Sequence, residues 1–519
     1  MVCAEVPASE TISSDTKRAS GFVFIVDFFV LSAKLTNLEG KKKRFRFFFS
    51  LFFVFLEKLY VMNRTFSSFF FALPIVFMGL SSPAAAQDFK FNFGPKSPEG
   101  YVSVLASDIY SADKGYGFEP GSSPEYVERS SKGRLSSCFV TSGEVLTFSV
   151  AVPEGDYRVR LTLGDEKGES STTVKSEIRR LAFENISTGK SEIRQLCFNV
   201  NVRTPLLSQG NTIKLNTREM DYQTGRLLTY TWDEKLTLSF YGSAAKVCAV
   251  EIERLDGTVP RVFIIGDSTV TDQKSGGTWG QYLPVWMTEG AVVCNHAESG
   301  MTIKGFRFSR RWDKIMESCR EGDYLLIQLG TNDEKSKGHD PMWPEDDRSG
   351  DWVRTHSDAS TDYVWGLATM ALEAKRHGVI PVIVSPMTKI DRRSAKATEL
   401  MTPYGQNAAR AAQLADCQYI DLWSISRSLI EALGDDALLM YADGTHTDNY
   451  GAYLFSLAIA DALKTGVMAG KGMVRDDLPV LDVENPHPLP SEFTCPLEPR
   501  KAKPANEAYK NGQTRFGPL

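Results

Sequence analysis

The sequence lacks the features that would assign it to several common classes of protein. It has no Cys-x-x-Cys pair, and the seven cysteines after residue 86 are scattered, so no zinc site is expected and no particular disulfide bridge is predicted. It has no basic excess either, because 59 Lys and Arg are outnumbered by 64 Asp and Glu, which argues against a nucleic-acid-binding protein. What remains is an ordinary soluble composition, with 42% hydrophobic residues in a chain of 519, enough for two or three domains.

The amino terminus has no domain-like pattern, but it contains an export signal. From Met62 a charged start precedes the apolar run 69–80, which is shorter than the ~20 residues of a membrane span, and small residues follow up to Ala86. We therefore expect residues 62–86 to be a cleaved signal peptide, leaving a secreted, periplasmic or cell-surface protein without stable membrane insertion. Residues 1–61 are interpreted as a non-native leader that belongs to the gene model; the alternative is a membrane anchor over 47–61.

Residues 88–255 predict an antiparallel β-sandwich. Short alternating segments are separated there by Gly, Ser, Pro and Asp, and no long helical pattern interrupts them. The strand candidates are Phe89–Phe93, Leu146–Val152, Tyr157–Leu163, Thr212–Leu215, Leu236–Tyr241 and Val247–Ile252. Such a domain either binds carbohydrate through exposed aromatic rings or buries those rings against its own core and its neighbour. The conceivable ring platforms are Tyr110, Tyr116, Tyr222 and Trp232.

Residues 260–466 predict a second domain, with a parallel sheet and helices on both faces. Apolar strand candidates alternate there with helical patterns, as in successive βαβ units. The strands are expected near 262–265, 291–294, 324–329, 379–385 and 419–421, and the helices near 278–288, 361–377, 405–416, 424–433 and 447–464. The stretch 334–360 is a long loop and a candidate substrate wall, whereas 467–519 is expected to be an extended tail.

The first strand of this second domain ends in a serine. The apolar run 262–265 stops at Gly266, and Asp267 and Ser268 follow. This order puts a hydroxyl at the carboxyl edge of the sheet, where α/β proteins build their active sites. Most serines at strand ends only form turns, so Ser268 needs partners before it counts as a nucleophile.

Those partners occur downstream, in the segment Asp443-Gly444-Thr445-His446. One tight turn can carry both side chains, so that the carboxylate accepts a hydrogen bond from one ring nitrogen while the other takes the proton of Ser268. The alternative is structural: His446 caps a helix that starts near Thr447, and Asp443 stabilises the turn.

Two further segments offer donors for an oxyanion. Asn332 follows the apolar strand 324–329, and its Nδ2 is a neutral donor of the kind that acyl transfer requires. Gly300 follows the strand 291–294, and its backbone N–H is unobstructed because glycine has no Cβ. Taken singly, each residue is equally well explained as part of a turn.

The four segments together resemble the four blocks of the SGNH or GDSL hydrolases, which carry Ser, Gly, Asn and Asp-x-x-His. The resemblance covers about residues 260–464 and implies a flavodoxin-like three-layer α/β/α fold. It implies Ser268 as the nucleophile and Asp443 and His446 as the rest of the triad. It also implies an oxyanion hole formed by the backbone N–H groups of Ser268 and Gly300 and by Asn332, with no cofactor and no metal.

Within that family the chain looks most like the rhamnogalacturonan acetylesterases. Thr269 completes Gly-Asp-Ser-Thr, where many lipolytic relatives have Gly-Asp-Ser-Leu, and Thr278-Trp279-Gly280-Gln281 is also similar. Two departures are Met301 after Gly300 and Thr331 before Asn332, where the branch often has Arg and His. Residues 88–255 resemble the galactose-binding-like jelly-roll modules that precede some of these enzymes.

The resemblance implies a secreted carbohydrate esterase that removes O-acetyl groups from a pectic, rhamnogalacturonan-like polysaccharide by a Ser-His-Asp mechanism. An SGNH lipase or thioesterase and an acetylxylan-type esterase are the alternatives with the same triad. A glycan-binding protein with a vestigial esterase domain is a third reading.

Overall fold

The computed structural model describes residues 88–130, 134–177, 179–215, 231–272, 277–335 and 356–486. The predicted leader, the signal peptide, most of the loop 334–360, Tyr222 and the end of the tail lie outside the described residues. Within the described ranges, no helix is both long and apolar enough to cross a membrane.

The first domain consists of two β-sheets that share one apolar core. The strands are β1 Phe89–Phe93, β2 Val102–Val104, β3 Tyr116–Phe118, β4 Glu125–Glu128, β5 Cys138–Thr141, β6 Leu146–Ala151, β7 Gly155–Gly164, β8 Ser170–Ser176, β9 Arg180–Thr188, β10 Ile193–Val202, β11 Lys235–Ala244 and β12 Val247–Arg254. The first sheet has the path β10-β7-β12-β1-β2, with β5 joined to β12 and β4 to β5, and the second has the order β3-β6-β11-β8-β9. The pairing is antiparallel except between β1 and β2, so this is a mixed sandwich rather than the purely antiparallel one expected.

One strand prediction in this domain is wrong. The segment Thr212–Leu215 forms no strand, because its apolar residues Ile213 and Leu215 pack with Leu207 and Trp232 in a small separate cluster. The backbone N–H of Lys214 is instead bonded to the carbonyl of Ser309, in the second domain.

The aromatic rings considered as carbohydrate platforms are not free surface rings. Trp232 is 1% exposed, which excludes it as a platform. Tyr110 and Tyr116 are half-buried, and the ammonium groups of Lys235 and Lys114 lie over their rings, 4.7 Å from each ring centre. These contacts favour the reading in which the rings serve packing.

The second domain is built on a five-stranded sheet in which every pair is parallel. Its order is β14-β13-β15-β16-β19, so the chain starts next to one edge and crosses the sheet in the other direction after β14. The strands are β13 Arg261–Gly266, β14 Val292–Asn295, β15 Tyr324–Gln328, β16 Ile380–Val384 and β19 Gln418–Ile420; a short hairpin, β17 Ile390–Asp391 and β18 Lys396–Ala397, lies apart. The helices are α1 Trp279–Trp286, α2 Ile303–Phe308, α3 Arg311–Ser318, α4 Thr331–Lys335, α5 Asp362–Arg376, α6 Thr402–Ala415, α7 Leu422–Leu433 and α8 Asn449–Thr465.

Successive residues of each central strand belong to two different apolar cores. Val262 and Ile264 lie in a core with residues of α1, α7 and α8, whereas Phe263 and Ile265 lie in a second core with residues of α2, α3, α5 and α6. This alternation explains why the strands are continuously apolar in sequence, since both faces are buried. The short helices α2, α3 and α4 were not predicted; α2 and α4, with six and five residues, are too short for a helical period to emerge.

The residues after the last helix remain part of the domain. Met468, Met473 and Val474 are buried, and Val474 pairs with Met287 in an isolated β-bridge. The first residues of the segment 467–519, which was expected to be an extended tail, thus belong to the apolar core that contains residues of α1.

Candidate active site

Ser268 lies in a tight turn directly after β13. The backbone N–H groups of Val270 and Thr271 both donate to the carbonyl of Asp267 at 3.0 Å, which closes the turn around the serine. Ser268 is 5% exposed. The predicted position at the carboxyl edge of the parallel sheet is where the structure places it.

The structure brings the predicted Asp and His to this serine. The Oγ of Ser268 lies 2.9 Å from Nε2 of His446, and Nδ1 of His446 lies 2.8 Å from Oδ2 of Asp443. The helix α8 begins at Asn449 and is capped by Asp448, so His446 does not cap it. The three side chains thus form one hydrogen-bonded chain from carboxylate to imidazole to hydroxyl.

The carboxylate of Asp443 is held ionised by its own turn. Burial disfavours its charge, but its hydrogen bonds with the His446 ring and with the backbone N–H groups of His446 and Thr445 outweigh burial and hold the pKa of this carboxyl well below its ordinary value. An ionised Asp443 accepts the Nδ1 proton of His446, which leaves Nε2 as the nitrogen that faces Ser268.

One hydrogen bond joins Asn332 to the residue that follows Gly300, so the segments of the two expected oxyanion donors are connected. Gly300 has a φ of +84°, a left-handed conformation that glycine adopts without strain, in the loop between β14 and α2. Asn332 is the second residue of α4, the short helix that follows β15. Its Nδ2 donates a hydrogen bond to the carbonyl of Met301 at 3.1 Å. Both loops therefore meet at the same edge of the sheet, next to the turn of Ser268.

The buried side chains of Asp267 and Gln328, which were not predicted as site residues, support the turn that carries Ser268 (the serine turn). Oδ1 of Asp267 accepts hydrogen bonds from the N–H and the hydroxyl of Thr269, and the Thr269 hydroxyl accepts one from Nε2 of Gln328, at 2.8 Å. Oε1 of Gln328 in turn accepts from the indole N–H of Trp279 at 2.7 Å. The sequence did contain a signal for this role: Gln328 ends an otherwise apolar strand, and a buried carboxamide there must have hydrogen-bond partners.

Asp333, beside Asn332, is a buried carboxyl group of a different kind. Burial raises its pKa to about 7, and the negative charge of Asp267 adds to the effect. Its Oδ1 accepts the N–H of Ile303, the first residue of α2. Asp333 thereby links the start of α2, which follows the loop of Gly300, to the segment of Asn332. Among the residues that the structure describes, no three His, Cys, Asp or Glu side chains are grouped to hold a metal ion.

Comparisons with known proteins match both domains. Residues 264–453 match the GDSL-like lipase/acylhydrolase family, and residues 89–184 match the galactose-binding-like domain of the β-agarase and YxiM esterase type. The uncharacterised esterase YxiM of Bacillus subtilis is 25% identical over 76% of this chain and 96% of its own length. The rhamnogalacturonan acetylesterase RhgT of Bacillus subtilis is 30% identical over 34% of this chain and 70% of its own. The crystal structure of YxiM from Bacillus subtilis covers 74% of this chain and 100% of its own, at 22% identity and a TM-score of 0.36.

Proposed function

Because the chain belongs to the GDSL-like lipase/acylhydrolase family, with a galactose-binding-like domain ahead of the hydrolase domain, we propose that it is an exported carbohydrate O-acetylesterase acting on pectic polysaccharide. The observation that carries the proposal is the hydrogen-bonded chain Asp443, His446 and Ser268 at the carboxyl edge of the sheet. A relative that is a rhamnogalacturonan acetylesterase supports an acetylated glycan as substrate. The sequence of residues 62–86 supports export.

The chemistry follows from the order of the three side chains. His446 Nε2 takes the proton of Ser268 Oγ as the oxygen attacks the acetyl carbonyl, and Asp443 stabilises the imidazolium that forms. The same proton then passes to the sugar oxygen, which leaves and so produces an acetyl-serine. Water activated by His446 attacks that ester, and acetate is released with Ser268 restored.

The oxyanion formed in each half of the reaction needs fixed donors. The backbone N–H groups of Ser268 and Gly300 and the carboxamide of Asn332 are the donors we assign, and the left-handed turn of Gly300 supports its part in this set. The bond from Asn332 to Met301 supports the assignment as well, because it holds the two donor loops in a fixed relation.

A basic hairpin lies beside the turn of Asp443 and His446 (the catalytic turn). It supports the assignment of an acidic glycan, and not a neutral one, as the substrate. Residues 389–396 (KIDRRSAK) carry four basic side chains and one acidic one. Arg392, Arg393 and Lys396 are exposed, whereas Lys389 is buried and paired with Glu334. The backbone N–H of Ile390 donates a hydrogen bond to the carbonyl of Gly444 at 3.1 Å. Nη1 of Arg392 donates to the carbonyl of Tyr441 at 2.9 Å, just before this turn. Exposed cations at this position suit a substrate with uronate carboxylates next to the acetylated sugar.

The strand order and the two separate cores support the remaining structural part of the proposal. An order in which the second strand lies outside the first, with apolar clusters on both sides of the strands, is that of the flavodoxin-like three-layer fold. We infer this arrangement for the hydrolase domain.

The test is acetate release from acetylated pectin, xylan and mannan by the wild type and two variants. We expect release from pectin above the other two, and its loss in Ser268→Ala; in Asp443→Asn we expect turnover lower by ~10⁴-fold, because the imidazole loses the acceptor that sets its tautomer. Ser268→Ala with most of the wild-type activity would overturn the mechanism. A preference for long acyl chains in a series of 4-nitrophenyl esters would instead favour a lipase or thioesterase.

The hairpin has its own test. The double variant Arg393→Gln/Lys396→Gln removes two exposed charges that make no hydrogen bond to the catalytic turn. We expect a KM on acetylated pectin raised several-fold and salt-dependent, with kinetics on 4-nitrophenyl acetate unchanged. Equal effects on the charged and the uncharged substrate would contradict an acidic glycan.

A further inference from the structure

The β-sandwich places two arginines in a buried cluster of charges behind the turn that carries Ser268. Asp272 lies four residues after the serine, and its side chain is 3% exposed. Its Oδ2 accepts hydrogen bonds from Nε of Arg180 at 3.1 Å and from Nη2 of Arg203 at 3.4 Å. Both arginines are nearly inaccessible to solvent, so neither is available as a surface contact for a glycan.

The other oxygen of Asp272 ties the serine turn to the loop of Gly300. Its Oδ1 accepts a hydrogen bond from Nδ2 of Asn295, the last residue of β14, at 2.9 Å. The same Nδ2 donates to the carbonyl of Val270 at 3.0 Å, inside the serine turn. The hydroxyl of Thr271 also bonds the carbonyl of Ala297 at 2.8 Å. Asp272 is therefore the carboxylate at which the sandwich, the nucleophile turn and the oxyanion loop meet.

The backbone of Asp272 is held from the sandwich as well. Nη1 of Arg179 donates to the Asp272 carbonyl at 2.6 Å. The carbonyl of Arg179 accepts from Nε2 of Gln281, in the first turn of α1, at 3.5 Å. Both the side chain and the main chain at the end of the serine turn thus depend on consecutive residues of the sandwich.

A tryptophan of the sandwich extends the same contact to the other side of the oxyanion loop. The Trp232 ring lies 4.1 Å from the guanidinium of Arg203 and 5.1 Å from that of Arg311, in the hydrolase domain. Arg311 pairs with Glu298 at 3.8 Å, two residues before Gly300. Stacking between two guanidinium groups explains why Trp232 is buried at the domain boundary.

We propose that Arg180 and Arg203 are positioning residues of the active site, which hold Ser268 and the Gly300 loop in register through Asp272. The inference rests on the proposed function and adds to it that the sandwich is a structural part of the catalytic centre. The physical reason is that a buried carboxylate with two charge partners has one stable position, whereas the same carboxylate without them is an uncompensated buried charge, which favours movement of the chain towards water. Movement of the serine turn by about 1 Å is enough to lower turnover ~10²-fold.

The test uses a substrate too small to need a glycan-binding surface. In Arg180→Gln and Arg203→Gln, kcat on 4-nitrophenyl acetate is expected to fall ~10- to 100-fold while KM changes less than about 2-fold, because the nucleophile is misplaced and the binding site is not. The matched control is Arg158→Gln. Arg158 also joins the two domains, through Glu289 at 3.1 Å, but at the start of β14 rather than its end. We expect wild-type kcat for this control.

Three further experiments separate positioning from a general loss of structure. A serine-directed fluorophosphonate should label the same fraction of Arg180→Gln molecules as of wild type, but at a rate lowered in proportion to kcat. If neither arginine variant folds, Arg179→Gln removes the side-chain bond to the carbonyl of Asp272, leaves Arg180 and Arg203 unchanged, and should lower kcat by several-fold. The double variant Arg180→Gln/Asp272→Asn should be no slower than Asp272→Asn alone, because both changes act through one carboxylate.

Wild-type kcat in all three arginine variants at positions 179, 180 and 203 would overturn the inference. So would an equal loss in the Arg158→Gln control. A fully active Ser268→Ala variant, measured alongside, would instead overturn the proposed function itself, so the two failures are distinguishable.

Discussion

Asp443 has two tasks within one turn. Its Oδ1 accepts the backbone N–H groups of Thr445 and His446 at 2.7 and 2.8 Å, and its Oδ2 accepts Nδ1 of the His446 ring at 2.8 Å. The carboxylate that shapes the turn is thus the one that orients the imidazole. This double use explains why an acid and a histidine three residues apart suffice, with no second segment of chain required.

Asn332 offers a single-residue test of the oxyanion assignment. In Asn332→Ala we expect kcat on an acetyl ester to fall ~10²–10³-fold, because one preorganised donor to the developing charge is lost. Steady-state kinetics measure this, and circular dichroism checks that the variant is folded. Asn407→Ala, which changes a half-buried asparagine of α6 whose Nδ2 donates to the carbonyl of Pro403, is the control. A loss of less than about 3-fold in Asn332→Ala would contradict the role.

Glu177 gives a residue-level prediction for the pH dependence of stability. Burial raises the pKa of this carboxyl to about 8, and the negative charge of Asp233 acts in the same direction. Between the ordinary value of 4.5 and about 8, the folded protein holds a proton that the unfolded chain has released, so stability falls as pH rises through this window.

Glu177→Gln cannot ionise and should lose this decline. We expect the free energy of unfolding of the wild type to fall relative to the variant by up to ~1.4 kcal/mol per pH unit between pH 5 and 8. Urea unfolding at several pH values measures it. Parallel curves for the two proteins would show that Glu177 is not protonated in the folded state.

At the scale of single elements, the start of helix α1 determines how the serine turn is supported. Thr278 caps the helix by accepting the N–H of Gln281, whose side chain accepts the N–H of Thr278 in return. The hydroxyl of Thr278 also donates to the carbonyl of Val270, at the end of the serine turn. Trp279 reaches Gln328 on β15. The segment Thr278-Trp279-Gly280-Gln281 therefore supports the turn that carries Ser268.

Gly280 is the position where this helix approaches the turn most closely. A methyl group there would collide with the carbonyl of Val270 and crowd the side chain of Asn295. We expect Gly280→Ala to lower the melting temperature and to reduce kcat ~10-fold or more, since the serine turn must shift. The control is Gly143→Ala, where an added methyl meets open space. A fully active Gly280→Ala would show that the turn tolerates the shift.

At the scale of the whole molecule, the two domains share a core as well as the charge cluster. Leu181 of β9 is fully buried in the apolar core that contains Trp279 and Tyr282 of α1. Asn199 of β10 donates to the carbonyls of Glu289 and Ala291 beside β14. Separating the domains would expose this apolar surface and leave Asp272 without its charge partners.

The sandwich and the hydrolase domain should consequently unfold together. We expect one calorimetric transition for the full chain, and Leu181→Ala should destabilise both domains by about 2–5 kcal/mol, the usual cost of removing a buried leucine side chain. Scanning calorimetry, with Trp and far-ultraviolet circular dichroism as separate probes, measures this. Two resolved transitions, of which only one responds to Leu181→Ala, would contradict the coupling.

The sequence by itself determined the elements whose signals are local. Continuously apolar strands ending in Gly266 and Gly330 predicted the parallel sheet, because both faces of each strand are buried. The spacing of Asp443 and His446 predicted a single turn, and the segments of Ser268, Asp443 and His446 predicted three side chains that lie in one hydrogen-bonded chain. The strand predicted at Thr212–Leu215 was wrong. Alternating apolar and polar residues indicate only that every second side chain is buried, and in this segment the buried side chains pack at the domain boundary without forming a strand.

Only the tertiary structure decided what the sandwich does to the active site. Arg180, Arg203 and Trp232 have no motif, and their partners Asp272 and Arg311 are distant in sequence. Whether two charged side chains form a buried pair depends on which surfaces of the two domains face each other. The spacing of apolar residues and the residues that form turns do not indicate which surfaces these are. The identity of the serine could therefore be predicted from the sequence, whereas the residues that hold it in place could be found only once the two domains were seen packed together.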